Sequence, residues 1–164
     1  MSIIGISRST ILKILVSVVI MNTSTVINAQ SQDTFTGTWE IDHSKSDAEF
    51  KDYKITCTID QSSSEITVKQ EFVMKDGQKS SMPPITYNLD NSEIVKKEQG
   101  DSGNISAVLS SDRKTLSTKF VRTMNGSDYG SMTIYSLSSD SKTLTIKSSD
   151  LSGESPMIQV YTRK

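Results

Sequence analysis

Cysteine, histidine and tryptophan occur once each in this chain of 164 residues, as Cys57, His43 and Trp39, and each scarcity excludes a class of protein. With one thiol there is no internal disulfide, so the fold has to be held by burial and backbone hydrogen bonds. Set among alternating apolar residues, Cys57 reads as a small buried hydrophobe; a reactive thiol needs a neighbouring base or cation to lower its pKa. A single histidine leaves any metal site to carboxylates, and no H-x-x-x-H, C-x-x-C or EF-hand spacing is present. His43 itself sits in a polar stretch and reads as a solvated loop residue. No serine occupies a G-x-S-x-G elbow, and Gly100, Gly103, Gly126 and Gly130 read as glycines of polar turns, not of a phosphate cradle. No catalytic residue, metal or cofactor is expected.

Long apolar runs are missing too. Residues 14–21 form an eight-residue apolar segment behind Arg8 and Lys13, far short of the roughly 20 residues that a membrane-spanning helix needs. Followed by Ile27-Asn28-Ala29, it reads as the core of a secretory signal covering residues 1–29, cleaved before Gln30. The remainder, 30–164, has the size of one domain. It holds sixteen Lys and Arg against nineteen Asp and Glu, a net charge of −3. That argues against a nucleic-acid partner, whose phosphates call for clustered cations. The expectation is a monomer in the periplasm or outside the cell, with no membrane span once the signal is gone.

What the chain has in quantity is period-two alternation, the mark of half-buried strands. Tyr53, Ile55, Cys57 and Ile59 alternate with polar residues, and Ile66, Val68, Phe72 and Met74 continue the rule with Gln70 as a polar member of the apolar face. Later runs place apolar residues at Ile85, Tyr87 and Leu89; Ile105, Ala107 and Leu109; Leu116 and Phe120; Met132 and Ile134; Leu144 and Ile146; Ile158 and Val160. Turn chemistry separates them. Asp76-Gly77 predicts a type I′ hairpin and Asn125-Gly126 a tight turn. Ser110-Ser111-Asp112 recurs as Ser138-Ser139-Asp140, the composition of loops whose side chains bond their own backbone. Met82-Pro83-Pro84 has to interrupt pairing. The polar segment 43–52 reads as a loop or one short helical turn lying across an open barrel end. The predicted fold is all-β: an up-and-down antiparallel meander that closes into a barrel of 8–10 strands, with a two-sheet sandwich as the alternative.

Gly37-Thr38-Trp39-Glu40-Ile41-Asp42, followed by Lys45-Ser46 and read with the ending Val160-Tyr161-Thr162-Arg163-Lys164, resembles a family of small secreted bacterial lipocalin-like proteins. The resemblance implies a calycin-type barrel and leaves the ligand open, since the other motifs of ordinary lipocalins are not found. In physical terms Gly37 lets the chain turn sharply, Trp39 is large enough to plug one barrel end, and Arg163 on the last strand is placed to lie over its ring.

Ligand-binding candidates come from strand parity. Arg122 shares a face with Leu116, Thr118 and Phe120, and an inward guanidinium is costly unless paired or near a mouth. Together with Gln70, Phe72, Tyr87 and Phe120 it would suit a small hydrophobic or amphipathic ligand with an acidic group in an apolar pocket. The alternative has Arg122 reaching solvent over the rim. Independently of Arg122, the alternative for the chain as a whole is a filled barrel that serves as a structural or protein-interaction module of the cell envelope.

Overall fold

Period-two alternation becomes a single antiparallel sheet in the computed structural model, which describes residues 34–164 except 91, 93, 99 and 100, and only the backbone of 95–98, 101 and 102. The signal read at residues 1–29, and Gly100, lie outside the described residues. In chain order the strands are β1 (Gly37–Ile41), β2 (Tyr53–Gln61), β3 (Glu65–Met74), β4 (Lys79–Ser81), β5 (Ile85–Asn88) and β6 (Ile94–Glu98). They are followed by β7 (Asp101–Leu109), β8 (Thr115–Met124), β9 (Ser127–Leu137), β10 (Thr143–Asp150) and β11 (Met157–Arg163). Hydrogen-bonded neighbours run β4-β3-β2-β1-β11-β10-β9-β8-β7-β6, with β5 also paired to β3. First and last strands thus meet, Trp39 opposite Arg163. The strands form one sheet, not the two of a sandwich. From opposite ends of the sheet β5 and β7 come near each other, with no ladder between them among the described residues.

Among the described residues ten strands follow one another in the meander, within the 8–10 expected, and β5 pairs to β3 off that path; β4 and β6 are the strands without a period-two signal. β4 is polar and exposed throughout, and β6 reads Ile-Val-Lys-Lys-Glu. The prolines act as anticipated: β4 pairs with Glu71 to Val73 and β5 with Glu65 to Val68, so Pro83 and Pro84 fall where pairing to β3 lapses.

Turns differ in kind. Asn125 (φ 51°) and Gly126 (φ 78°) both hold positive φ between paired Met124 and Ser127, as a type I′ turn requires. At Asp76-Gly77 only the glycine has positive φ, and Met74 N–H donates to Gln78 O at 2.9 Å. This is a three-residue loop in which the aspartate accepts from Gln78 N–H, not the type I′ hairpin expected. Gly103 and Gly130, read as turn glycines, lie instead within β7 and β9.

The core is made by the inward residues Ile55, Cys57, Ile59, Ile66, Leu116, Leu144 and Tyr161 around Phe35 and Trp39. In β9 and β11 the expected parity is inverted. Tyr135, Leu137 and Tyr161 face the core, whereas Ile134 is 39 % exposed and Val160, though buried, stands outside the core cluster. Segment 42–47 accounts for Val160, because it runs beside β11 and bonds to Val160 and Ile158.

Candidate functional site

Trp39 organises one end of the sheet. Its indole N–H donates to Phe35 O at 3.0 Å, folding the chain before β1 under the core. Arg163 lies over the ring, with its guanidinium carbon 4.2 Å from the centroid. The same guanidinium donates to Thr36 O (2.6 Å), Thr34 O (2.9 Å) and Ser141 O (3.0 Å), tying the segment before β1 to the β9–β10 turn. Gly37 holds φ +149°, and a Cβ there would stand 3.0 Å from the Arg163 Nη1, so glycine is required by both backbone and neighbour.

The rest of the opening motif builds the other end. Asp42 accepts from the N–H and hydroxyl of Ser44, which holds its carboxyl below the usual carboxylate range, and Lys45 pairs with it at 3.0 Å. Ser46 hydroxyl donates to Asp42 O and accepts from Val160 N–H. Asp47 accepts from Ile158 N–H at 2.6 Å. Hung in this way on β11, the segment ends in a 3-10 turn, Ala48–Phe50, and Phe50 reaches a cavity.

That cavity, about 480 Å³ and partly enclosed, lies between the strands at the end away from Trp39. Its apolar wall comes from Phe50, Phe72, Ile85, Ile105, Phe120 and Ile146. Met82 and Met157 line it while remaining 53 % and 46 % exposed, so its rim is thioether. Polar groups enter from Gln70, Gln159, Tyr87, Tyr135, Thr118 and Thr133. Gln70 Nε2 donates to Tyr161 Oη at 3.0 Å and to Gln159 Oε1 at 3.3 Å. Burial pushes the Tyr161 phenol well above its ordinary value, and burial with the Tyr87 hydroxyl alongside does the same at Tyr135, so both stay neutral. Burial likewise raises the Cys57 thiol to about 12, too high for a nucleophile at neutral pH.

Of the ligand-binding candidates, Gln70, Phe72, Tyr87 and Phe120 come together in the cavity wall. Arg122 does not. It is half-buried near the end of β8, two residues beyond Phe120, and is not among the lining residues. Gln159, Tyr135 and Thr133 escaped the sequence reading because neighbouring Ile158, Val160 and Ile134 drew the apolar face to the wrong parity. The signal that finds them is Gln70, whose polar break in an apolar face calls for a partner across the interior. No group of His, Cys, Asp or Glu suited to a metal occurs among the described residues.

No protein-family model and no curated protein matches this sequence. Among solved structures the chain is similar to an abundant heat soluble (SAHS) protein of Ramazzottius varieornatus, at 12% identity and a TM-score of 0.49 over 79% of this chain and 95% of that one. It is also similar to a fatty-acid-binding protein of Manduca sexta, at 8% identity and a TM-score of 0.45 over 79% of this chain and 99% of that one. At these scores neither protein's ligand nor its behaviour is carried over to this chain.

Proposed function

We propose that the chain is exported, loses residues 1–29, and acts as a non-enzymatic monomeric β-barrel that holds one small, partly apolar molecule. The observation that carries this reading is the cavity of about 480 Å³, walled by Phe50, Phe72, Ile85, Ile105, Phe120 and Ile146. Its size falls within the roughly 300–1,000 Å³ of small-molecule sites, and an apolar wall with a few convergent polar groups is their usual composition. In this reading side chains of β5 and β7 close the barrel where no ladder does, since Tyr87 and Ile105 line the same space. Kinship with the small secreted bacterial lipocalin-like proteins belongs to the same proposal and rests on the residues from Gly37 to Ser46.

The competing reading, a filled module that works through its surface, has no use for so large a void beside a packed core. Native mass spectrometry of protein purified from its own host decides between them. A retained molecule at one per chain, with Gln30 as the first residue, is expected. Bare protein whose melting temperature is unmoved by any apolar extract of the host would overturn the carrier reading.

A further inference from the structure

We infer that the cavity selects an uncharged amphiphile, an apolar body bearing one neutral hydrogen-bonding group such as a hydroxyl or amide, seated on Gln70 and Gln159. The inference rests on the ligand-holding reading above and names the class of ligand. Both N–H groups of the Gln70 amide are engaged, one by Tyr161 Oη and one by Gln159 Oε1. The carbonyl of Gln70 and the amide N–H₂ of Gln159 make no bond among the described residues, and both side chains line the cavity. The two hydrogen-bonded amides thus leave one acceptor and one donor over, which matches a group that both gives and accepts a hydrogen bond, and apart from Lys119 the other polar groups of the lining are neutral hydroxyls.

An ion fits poorly. Among the described lining residues Lys119 alone carries charge, and it is exposed on the outward parity of β8. A carboxylate at Gln159 would face the Gln70 carbonyl with no cation to offset its lost hydration, and an ammonium would find no carboxylate. The phenols of Tyr135 and Tyr161, neutral through burial, supply dipoles and no charge.

The test titrates the full processed chain with 1-decanol, decanoate and decylammonium near neutral pH, read by calorimetry. Decanol is expected to bind at least about tenfold more tightly than either ion. Gln70→Leu should weaken decanol and narrow that preference, and Gln159→Met is the second variant should the first fail to fold. Decanoate binding as tightly as decanol, and lost in Arg122→Ala, would overturn the inference and assign recognition to a charged rim while leaving the carrier reading intact. Binding of none of the three would remove the carrier reading itself.

Discussion

Arg163 shows how much one side chain at a chain end can hold. Its three carbonyl partners belong to two segments distant in sequence, and its fourth contact is the face of the only tryptophan. Arg163→Ala should lower the free energy of unfolding by about 2 kcal/mol, given that hydrogen bonds from a charged donor are stronger than neutral ones. Arg163→Lys should recover little of it, because an ammonium cannot reach three diverging carbonyls from one plane. A double-mutant cycle with Trp39→Phe, followed by denaturant unfolding, should give a coupling of about 0.5–2 kcal/mol; strict additivity would sink the idea of a working cation–π contact. Gly103 makes the complementary point. A Cβ at that position would run into the Phe120 ring and stand 3.1 Å from Val121 O. Gly103→Ala should therefore cost about 1–3 kcal/mol by overpacking and, by displacing Phe120, change the cavity volume, which ligand affinity would register. Trp39 and Arg163 were legible from their places on the first and last strands. Gly103 was not, because a glycine between Ser102 and Asn104 carries no sign of the aromatic ring that crosses it from the next strand.

Among the elements, hairpin turns were the most legible feature, because their chemistry is local. Ser110-Ser111-Asp112 and Ser138-Ser139-Asp140 share composition, and they share every bond that matters. Each serine hydroxyl donates to the aspartate two residues on, at 2.5 and 2.6 Å, and accepts from Thr115 or Thr143 N–H, at 2.9 and 3.0 Å. Each aspartate accepts from the lysine N–H beyond it, at 3.0 and 3.1 Å. The cost of this geometry is a non-glycine residue at positive φ, Arg113 at 59° and Ser141 at 55°. Arg113→Gly should consequently stabilise the chain by about 0.5–1 kcal/mol, less than the left-handed penalty because glycine also loosens the unfolded state. The serine hydroxyls hold both carboxyls below their ordinary 3.8, so their contribution is fully present above pH 3.8 and fades as pH falls through the lower folded value. Asp112→Asn should flatten that acid limb in urea titrations; a limb identical to that of the parent would refute the assignment. β4 and β6 were illegible for the converse reason. They exist through pairing to β3 and β7, and nothing in Lys79-Ser80-Ser81 or in residues 94–98 is periodic.

At the scale of the whole molecule, alternation gave the sheet, and hydrophobicity misled only where the interior is polar. Ile134 and Val160 lie on the far side of their strands from Tyr135 and Tyr161, so Tyr135 and Gln159, which line the cavity, and Tyr161 beside it fell on positions a hydropathy pattern assigns to solvent, whereas Gln70 and Tyr87 did not. The same buried acids set how the molecule meets alkali. Burial pushes the Cys57 thiol up from its ordinary 9.0 to about 12, and moves Tyr135 and Tyr161 upward from 10.0. With folded values raised, the unfolded chain loses its protons first. The stability these groups confer is whole below pH 9 and drains as pH climbs, by up to about 1.4 kcal/mol per pH unit for each group titrating. Unfolding free energy measured in urea should accordingly begin to fall near pH 9 and steepen above pH 10 as the tyrosines join. Cys57→Val keeps an apolar side chain at the site and removes the first of these protons, so its alkaline limb should start near pH 10 instead. Should parent and variant trace the same curve between pH 9 and pH 10, the thiol would not be the buried acid that opens the alkaline transition, and the polar interior alone would have to account for it.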